Sequence, residues 1–409
     1  MKLKNYFIKI FLMLFAILMM SGSINVNAAQ RVSIDWWVES VELARLSDFP
    51  EFAGWSTELL AIGDYEGYCS EDGKSFWLSG IHLSSEDVKK VEIPEKIDGM
   101  TVTRVSQFSP NAEEPNLFRE CHRKREINDS NYGWLYGQKV EELVLPDSVT
   151  EIGQKTFQNM PSLKKVVLPA VLKEMGSFVF FGDKLLEKIY LPASLSDLKV
   201  DTFQGANNLK SISIDRKNTE FSARKNGIYS ADGKTLYIVY GSKKKIFVLD
   251  SKVKFIRDVQ DKSRTNYVEP VLKGYKVSVS RKNKTYGYKS GCLYVKKTGE
   301  LLYYAKKDKD PKLPACIKQL TKKTCYISPY INSIRLSKNM KTLDCRYIQG
   351  GESYLSKIIF PSEKVVKIKH VDVLSRYDSM TLYVPKNQVK QYRKQVKAYK
   401  KIKVKSLKK

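Results

Sequence analysis

Glu141-Glu142-Leu143-Val144-Leu145-Pro146, Lys164-Lys165-Val166-Val167-Leu168-Pro169 and Glu187-Lys188-Ile189-Tyr190-Leu191-Pro192 are three versions of one segment, spaced 23 residues apart. The register continues beyond each proline. It brings Val149, Leu172 and Leu195 into line, then Ile152, Met175 and Leu198, then Phe157, Phe180 and Phe203, and finally Leu163, Leu186 and Leu209. A fourth start, Ser211-Ile212-Ser213-Ile214, keeps the phase but has Asp215 in place of the proline. A fixed period of this length is the mark of stacked units whose shared core closes only on stacking. Within each start, Leu143/Leu145, Val166/Leu168, Ile189/Leu191 and Ile212/Ile214 alternate with other side chains, the period of a short strand with one buried face. Proline, with no backbone donor, ends the strand.

The unit resembles the BspA-like leucine-rich repeats of bacterial surface proteins, which run from a strand through Leu/Ile-Pro, a Val-x-x-Ile-Gly turn and an Ala-Phe pair to a closing leucine. Val149-Thr150-Glu151-Ile152-Gly153 with Phe157 and Leu163 fits that pattern, as do Met175-Gly176 and Phe180. The third copy lacks the glycine at Leu198-Lys199, and the alanine before each phenylalanine is Thr156, Val179 or Thr202. The resemblance implies a leucine-rich repeat solenoid with short parallel strands on one face and irregular turns, short helices and hairpins elsewhere. It further implies protein binding through the strand face.

Around the regular repeats the pattern loosens. Asp72-Gly73, between Tyr68-Cys69 and Phe76-Trp77-Leu78, is a hairpin signal, and Val91-Glu92-Ile93-Pro94 is another strand-proline pair. Residues 111–138 match no repeat and read as an insertion. After the fourth start, Asn226-Gly227-Ile228-Tyr229, Asp232-Gly233-Lys234 and Leu236-Tyr237-Ile238-Val239 read as a second hairpin. It recurs about 65 residues later in Gly291-Cys292-Leu293-Tyr294, Thr298-Gly299 and Leu301-Leu302-Tyr303-Tyr304, with Val277-Ser278-Val279 matching Ile212-Ser213-Ile214. Further strands are expected near Ile331–Leu336, Lys357–Pro361 and Thr381–Pro385. Val389, Tyr392, Val396 and Tyr399 have helical spacing, either for a C-terminal cap or for a basic amphipathic helix on an anionic surface. Ile402-Lys403-Val404-Lys405 reads as a last edge strand protected by lysine. The expected organisation is a signal peptide at 1–28, a capping segment at 29–66, repeats at 67–250, a degenerate basic repeat and hairpin region at 251–385, and a basic cap helix and tail at 386–409.

Lys2, Lys4 and Lys9, the apolar run Ile10 to Met20 and Val26-Asn27-Ala28 have the layout of a secretory signal peptide. The run is short for a membrane span, so a secreted chain, or one held non-covalently on a cell surface, is expected. Ser33 is placed to cap a helix over Ile34–Leu43, and Trp36, Trp37, Phe49, Phe52 and Trp55 are either a cap on the solenoid end or a carbohydrate-stacking surface. The net charge of +27 is divided unevenly. Residues 29–240 carry 25 Lys and Arg against 32 Asp and Glu, whereas residues 241–409 carry 43 against 12. Such asymmetry points either to a polyanionic partner for the second half or to lysine-rich solvated faces. For an exported chain an anionic wall polymer or glycan fits; nucleic acid is not expected as the physiological partner.

Six cysteines (Cys69, Cys121, Cys292, Cys316, Cys325, Cys345) permit disulfides outside the cell, with Cys316 and Cys325 the nearest pair. There is no C-x-x-C, no nucleotide-binding glycine pattern and no hydrolase motif. His82, His122 and His370 have no ligand spacing, so neither a metal nor a cofactor is expected, and no catalytic residue is assigned. Function is expected instead on the strand side chains that do not point inward: Glu142, Val144, Lys165, Val167, Lys188, Tyr190, Ser211 and Ser213. The expected partner is an extracellular protein, of host or matrix. The alternative is a structural envelope protein bound to anionic wall polymers with no such partner.

Overall fold

A computed structural model describes residues 53–407, apart from 57–58, 84, 86, 107–117, 120–136, 242–245, 258–270, 273, 307, 321–330, 349–354 and 378. The signal-peptide segment, the helix at 34–43 and all the early aromatics except Trp55 lie outside the described residues, as does most of the insertion.

The chain is a leucine-rich repeat solenoid whose front row, among the described residues, holds eleven strands. They are Lys90–Glu92 (β1), Glu142–Val144 (β2), Lys165–Val167 (β3), Lys188–Leu191 (β4), Ser211–Ile214 (β5), Ile246–Leu249 (β6), Lys276–Val279 (β7), Ser333–Arg335 (β8), Lys357–Ile359 (β9), Met380–Val384 (β10) and Ile402–Ser406 (β11). Pairing is parallel and in register: Leu143 lies between Val91 and Val166, Ile189 beside Ile212, and Leu382 between Ile358 and Val404. A back row runs alongside. Arg104, Glu151, Glu174 and Asp197 follow one another across it, and Glu300, Gln319, Thr342 and Lys367 do the same further on. Both rows persist past residue 251, so the C-terminal half continues the solenoid.

The apolar register supplies the core. Leu143, Val149, Ile152, Leu163, Leu172, Leu186 and Leu209 are fully buried. Phe157, Phe180 and Phe203 stack through it, with centroids 6.0 and 5.7 Å apart and interplanar angles of 24° and 7°. Each proline ends its strand, and its carbonyl then accepts the N–H of the core residue three positions on, from Val149, Leu172 and Leu195. Glycine is needed where successive backbones nearly touch. A Cβ on Gly176 would lie 2.6 Å from the Gln154 backbone nitrogen. At the third copy exposed Lys199 stands in the glycine position, and its ammonium meets Asp197 at 2.5 Å.

Among the described residues three antiparallel meanders occur, one before β1 and two that interrupt the front row. They comprise Leu60–Ile62, Tyr65–Cys69 and Ser75–His82; Phe221–Arg224, Gly227–Ser230 and Thr235–Val239; and Tyr286–Lys289, Cys292–Val295 and Leu301–Tyr304. The second and third are buried on both faces. Ile228 and Ile238 belong to the core before the second meander, and Tyr229 and Leu236 to the core after it. Leu293 and Tyr303 face back, while Cys292, Leu301 and Tyr304 face the C-terminal core. Such double-faced strands join neighbouring cores instead of ending them. In the first meander Phe76 and Leu78 face the core, whereas Trp77 packs against Tyr68, Trp55 and the Arg104 guanidinium, the last 3.9 Å from its ring.

Entry into the second and third meanders uses one device. Asn218 stands 23 residues after Leu195, in a core leucine position, and its amide donates to the carbonyls of Pro192 and Leu195. Its side-chain oxygen accepts the N–H groups of Glu220 and Phe221. Asn283 does the same with Asp250, Val253, Thr285 and Tyr286. At the C-terminal end a short helix, α1 (Val389–Gln395), lays fully buried Tyr392 on Phe360, and the Tyr392 hydroxyl accepts the Val366 N–H at 2.9 Å.

Cys69, Cys292, Cys316 and Cys345 are free thiols. The local Cys316–Cys325 pairing that the spacing suggests falls partly outside the described residues. Burial pushes the Cys345 thiol up to about 12. Cys121 and Cys325 lie outside the described residues.

One core position carries a charge-bearing group. Asp183 occupies the slot filled by Met160 and Ala206 in adjacent turns and is fully buried. One carboxyl oxygen accepts the Met160 N–H at 2.8 Å, and the other has no partner. Burial holds this carboxyl well above the ordinary carboxylate range, against the opposing pull of that N–H. The folded protein thus binds the Asp183 proton more tightly than the unfolded chain does. This contribution to stability is complete below the unfolded value, about 4, and is lost as pH rises through the elevated folded value. Asp183→Asn is expected to remove that decline and to raise stability near neutral pH by about 1 kcal/mol, read from urea unfolding across a pH series. Phe180→Ala, which opens a gap between two stacked rings, is expected to cost about 3–5 kcal/mol in the same assay.

Candidate binding face

The front strands set every second side chain outward, as their buried alternation requires. Lys165 lies beside Glu142 and Val167 beside Val144 across β3 and β2. Lys188 lies beside Ser211 and Tyr190 beside Ser213 across β4 and β5, and β3 and β4 are neighbours. All eight residues expected on this face are therefore outside the core. Lys165, Val167, Lys188, Tyr190 and Ser213 are exposed, while Glu142, Val144 and Ser211 are half-buried.

Charge is organised along the stack. Just before the strands, the 23-residue period places Glu141, Lys164, Glu187 and Lys210, alternating in sign. Lys164 meets Glu141 at 2.6 Å, Lys210 meets Glu187 at 2.5 Å, and Lys165 meets Glu142 at 2.8 Å. The Lys165 hydrogen bond is the main cause holding the Glu142 carboxyl below its usual value. Exposed pairs of this kind add little to stability, but they fix where the long side chains lie.

Tyr190 is the largest outward side chain of these strands, 52% exposed. Its hydroxyl donates to Asp215 Oδ2 at 2.5 Å, which lowers the Asp215 carboxyl and raises the Tyr190 phenol relative to their ordinary values. Asp215 replaces the proline of the other turns, so it has a backbone N–H, and that group extends the ladder to the Leu191 carbonyl at 3.0 Å. Its other carboxyl oxygen accepts the Lys217 N–H at 2.8 Å and closes the turn into the second meander. The departure from the repeat therefore orients the tyrosine and starts the meander together.

Sequence reasoning missed the outward side chains of β6. Ile246 and Val248 are 62% and 46% exposed, and Phe255 nearby in sequence is 62% exposed. The alternation in Ile246-Phe247-Val248-Leu249 carried that signal, but its spacing from β5 is not 23 residues, because a meander intervenes.

Among the described residues no group of His, Cys, Asp and Glu could hold a metal ion, and no helix is long and apolar enough to cross a membrane. Asp72 and Asp232 each close a turn. Their carboxylates accept the hydroxyls of Ser70 and Ser230 and the N–H groups of Lys74 and Lys234.

Rows of in-register strands over a repeating core define a leucine-rich repeat protein. Residues 126–225 match the family model for the BspA type leucine rich repeat region, in six copies, so the repeats of that stretch are of this type. The chain is similar to the crystal structure of the pneumococcal vaccine antigen PcpA, with 16% identity over 86% of this chain and 99% of that one and a TM-score of 0.45. It is similar also to a leucine-rich cell surface protein from Faecalibacterium prausnitzii, with 13% identity over 87% and 97% of the two chains and a TM-score of 0.37. A leucine-rich repeat protein from Eubacterium ventriosum shares 16% identity over 73% of this chain and 76% of that chain, with a TM-score of 0.36. No curated protein matches the sequence.

Asp215→Ala removes the turn closure and is expected to lower Tm by about 2–4 °C. Tyr190→Phe, which loses only an exposed hydrogen bond, is expected to leave Tm within about 1 °C. Thermal melts followed by circular dichroism check both.

Proposed function

We propose that the chain is a non-catalytic extracellular binding protein. It engages a protein partner through the outward side chains of β2 to β5, and its basic C-terminal half holds it on an anionic envelope or matrix. The observation that carries this reading is the exposed pair Val167 and Tyr190 on rigid strands, set among the charged side chains of Glu142, Lys165 and Lys188. Aromatic side chains held in place at low entropic cost, with a polar surround, are the usual anchors of protein interfaces. The BspA-type repeats support the same reading, since leucine-rich repeat proteins of this type are typically bacterial surface proteins and generally non-catalytic.

The charge of residues 241–409 favours a second reading, a structural envelope protein retained by wall polymer alone. Capture from host-cell surface and matrix proteins by the mature chain, at low and high salt, separates the two. Under the first reading a defined protein is retained at high salt, and the double variant Val167→Ala, Tyr190→Ala lowers its affinity about tenfold or more without moving Tm. Capture of walls only, abolished by salt, would establish the second reading.

A further inference from the structure

The positive charge of the second half is concentrated at the end of the solenoid. Residues 311–409 contain 24 Lys and Arg against five Asp and Glu, and 20 of the 24 are lysine. A shallow groove of about 490 Å³ runs between α1 and β11, the last strand of the front row. Arg393, Lys397, Lys400, Lys403 and Lys405 line it around the partly exposed ring of Tyr399, and no carboxylate does. All five cations are exposed, and none forms an ion pair among the described residues. Four lysines of the N-terminal repeats differ in this respect: Lys164, Lys165, Lys199 and Lys210 each meet a carboxylate.

The positive surface extends from the groove over the front row. Lys403 and Lys405 alternate outward from β11, with Thr381 and Tyr383 beside them on β10. Ile359 lies next to Tyr383 on β9, followed by Arg335 on β8 and then Lys312. Lys357 also points outward on β9, beside Thr381, so the cations of this face surround a small uncharged patch of Ile359, Thr381 and Tyr383.

We propose that this groove and the adjoining front face dock a linear polyol-phosphate polymer of the bacterial wall, with lysines on its phosphodiesters and Tyr383 and Tyr399 against its uncharged units. Two features select this chemistry among polyanions. Lysine acts as a point charge suited to separate phosphates, whereas bidentate recognition of carboxylates favours arginine. Unspecific single-strand nucleic-acid binding uses successive aromatic platforms, whereas Tyr383 stands on β10 and Tyr399 follows α1. The proposal rests on the reading that the basic half retains the chain on an anionic polymer.

The test uses the full mature chain and three probes of matched charge: a defined poly(glycerol phosphate), heparin and single-stranded DNA. Binding is measured calorimetrically at about 0.05 and about 0.5 M salt. The quadruple variant Lys397→Gln, Lys400→Gln, Lys403→Gln, Lys405→Gln is compared with Lys282→Gln, Lys284→Gln, Lys289→Gln, Lys297→Gln, which removes equal charge from exposed positions in the third meander region. The first set is expected to weaken poly(glycerol phosphate) binding about tenfold or more and to lessen its salt dependence, and the second to change it less than about twofold. Thermal melts establish that both variants fold, and single substitutions Lys403→Gln and Lys405→Gln serve if the quadruple does not. Equal weakening by the two sets would overturn the groove and leave the retention reading intact. Tighter binding of heparin or DNA would overturn the partner. Absence of polyanion binding by the unaltered chain would overturn the retention reading itself.

Discussion

Stacking of one turn on the next is the constraint on which everything else depends. No single turn encloses its own leucines and phenylalanine. Each is buried only because the next turn lies against it, with strands in register and the rings of Phe157, Phe180 and Phe203 in a column. Backbone pairing and apolar burial act along one axis, so a defect in one turn is felt chiefly by its two neighbours. The glycine at Gly176 follows from the same closeness, since the preceding turn leaves no room for a Cβ.

The stack tolerates interruption because each interruption is itself built into the core. The second and third meanders present apolar side chains on both faces, so each carries residues of the core on either side of it. Asn218 and Asn283 make the transitions possible. Each gives up a core leucine position, but its amide satisfies two carbonyls of the previous turn and two N–H groups of the coming strand. A buried polar group so fully bonded costs little. Asp183 is the contrary case, a carboxyl with one partner in an apolar slot, and its cost depends on pH.

The two halves use the same scaffold for different surfaces. In the N-terminal repeats, ion pairs across the turns order the front face and leave Val167 and Tyr190 prominent. Near the C-terminal end, among the described residues, no lysine meets a carboxylate, and the lysines form a broad positive surface. Carboxylates at the repeat positions Glu141 and Glu187 neutralise Lys164 and Lys210. Residues 311–409 have only five carboxylates in all to do so.

The sequence by itself determined the solenoid and the outward face of β2 to β5. A 23-residue period combined with a period of two specifies which side chains are buried, and the structure places all eight expected face residues outside the core. Glu142 and Ser211 come out half-buried because neighbouring strands shade them, which periodicity does not report. The hairpins were visible in Asp72-Gly73 and Asp232-Gly233, since only a few residues suit such turns. That the second and third meanders are walls between cores and that Asp215 grips Tyr190 were decided by tertiary structure. Each depends on residues brought together from different turns, and a linear pattern specifies spacing along the chain, not which groups the stacking brings into contact.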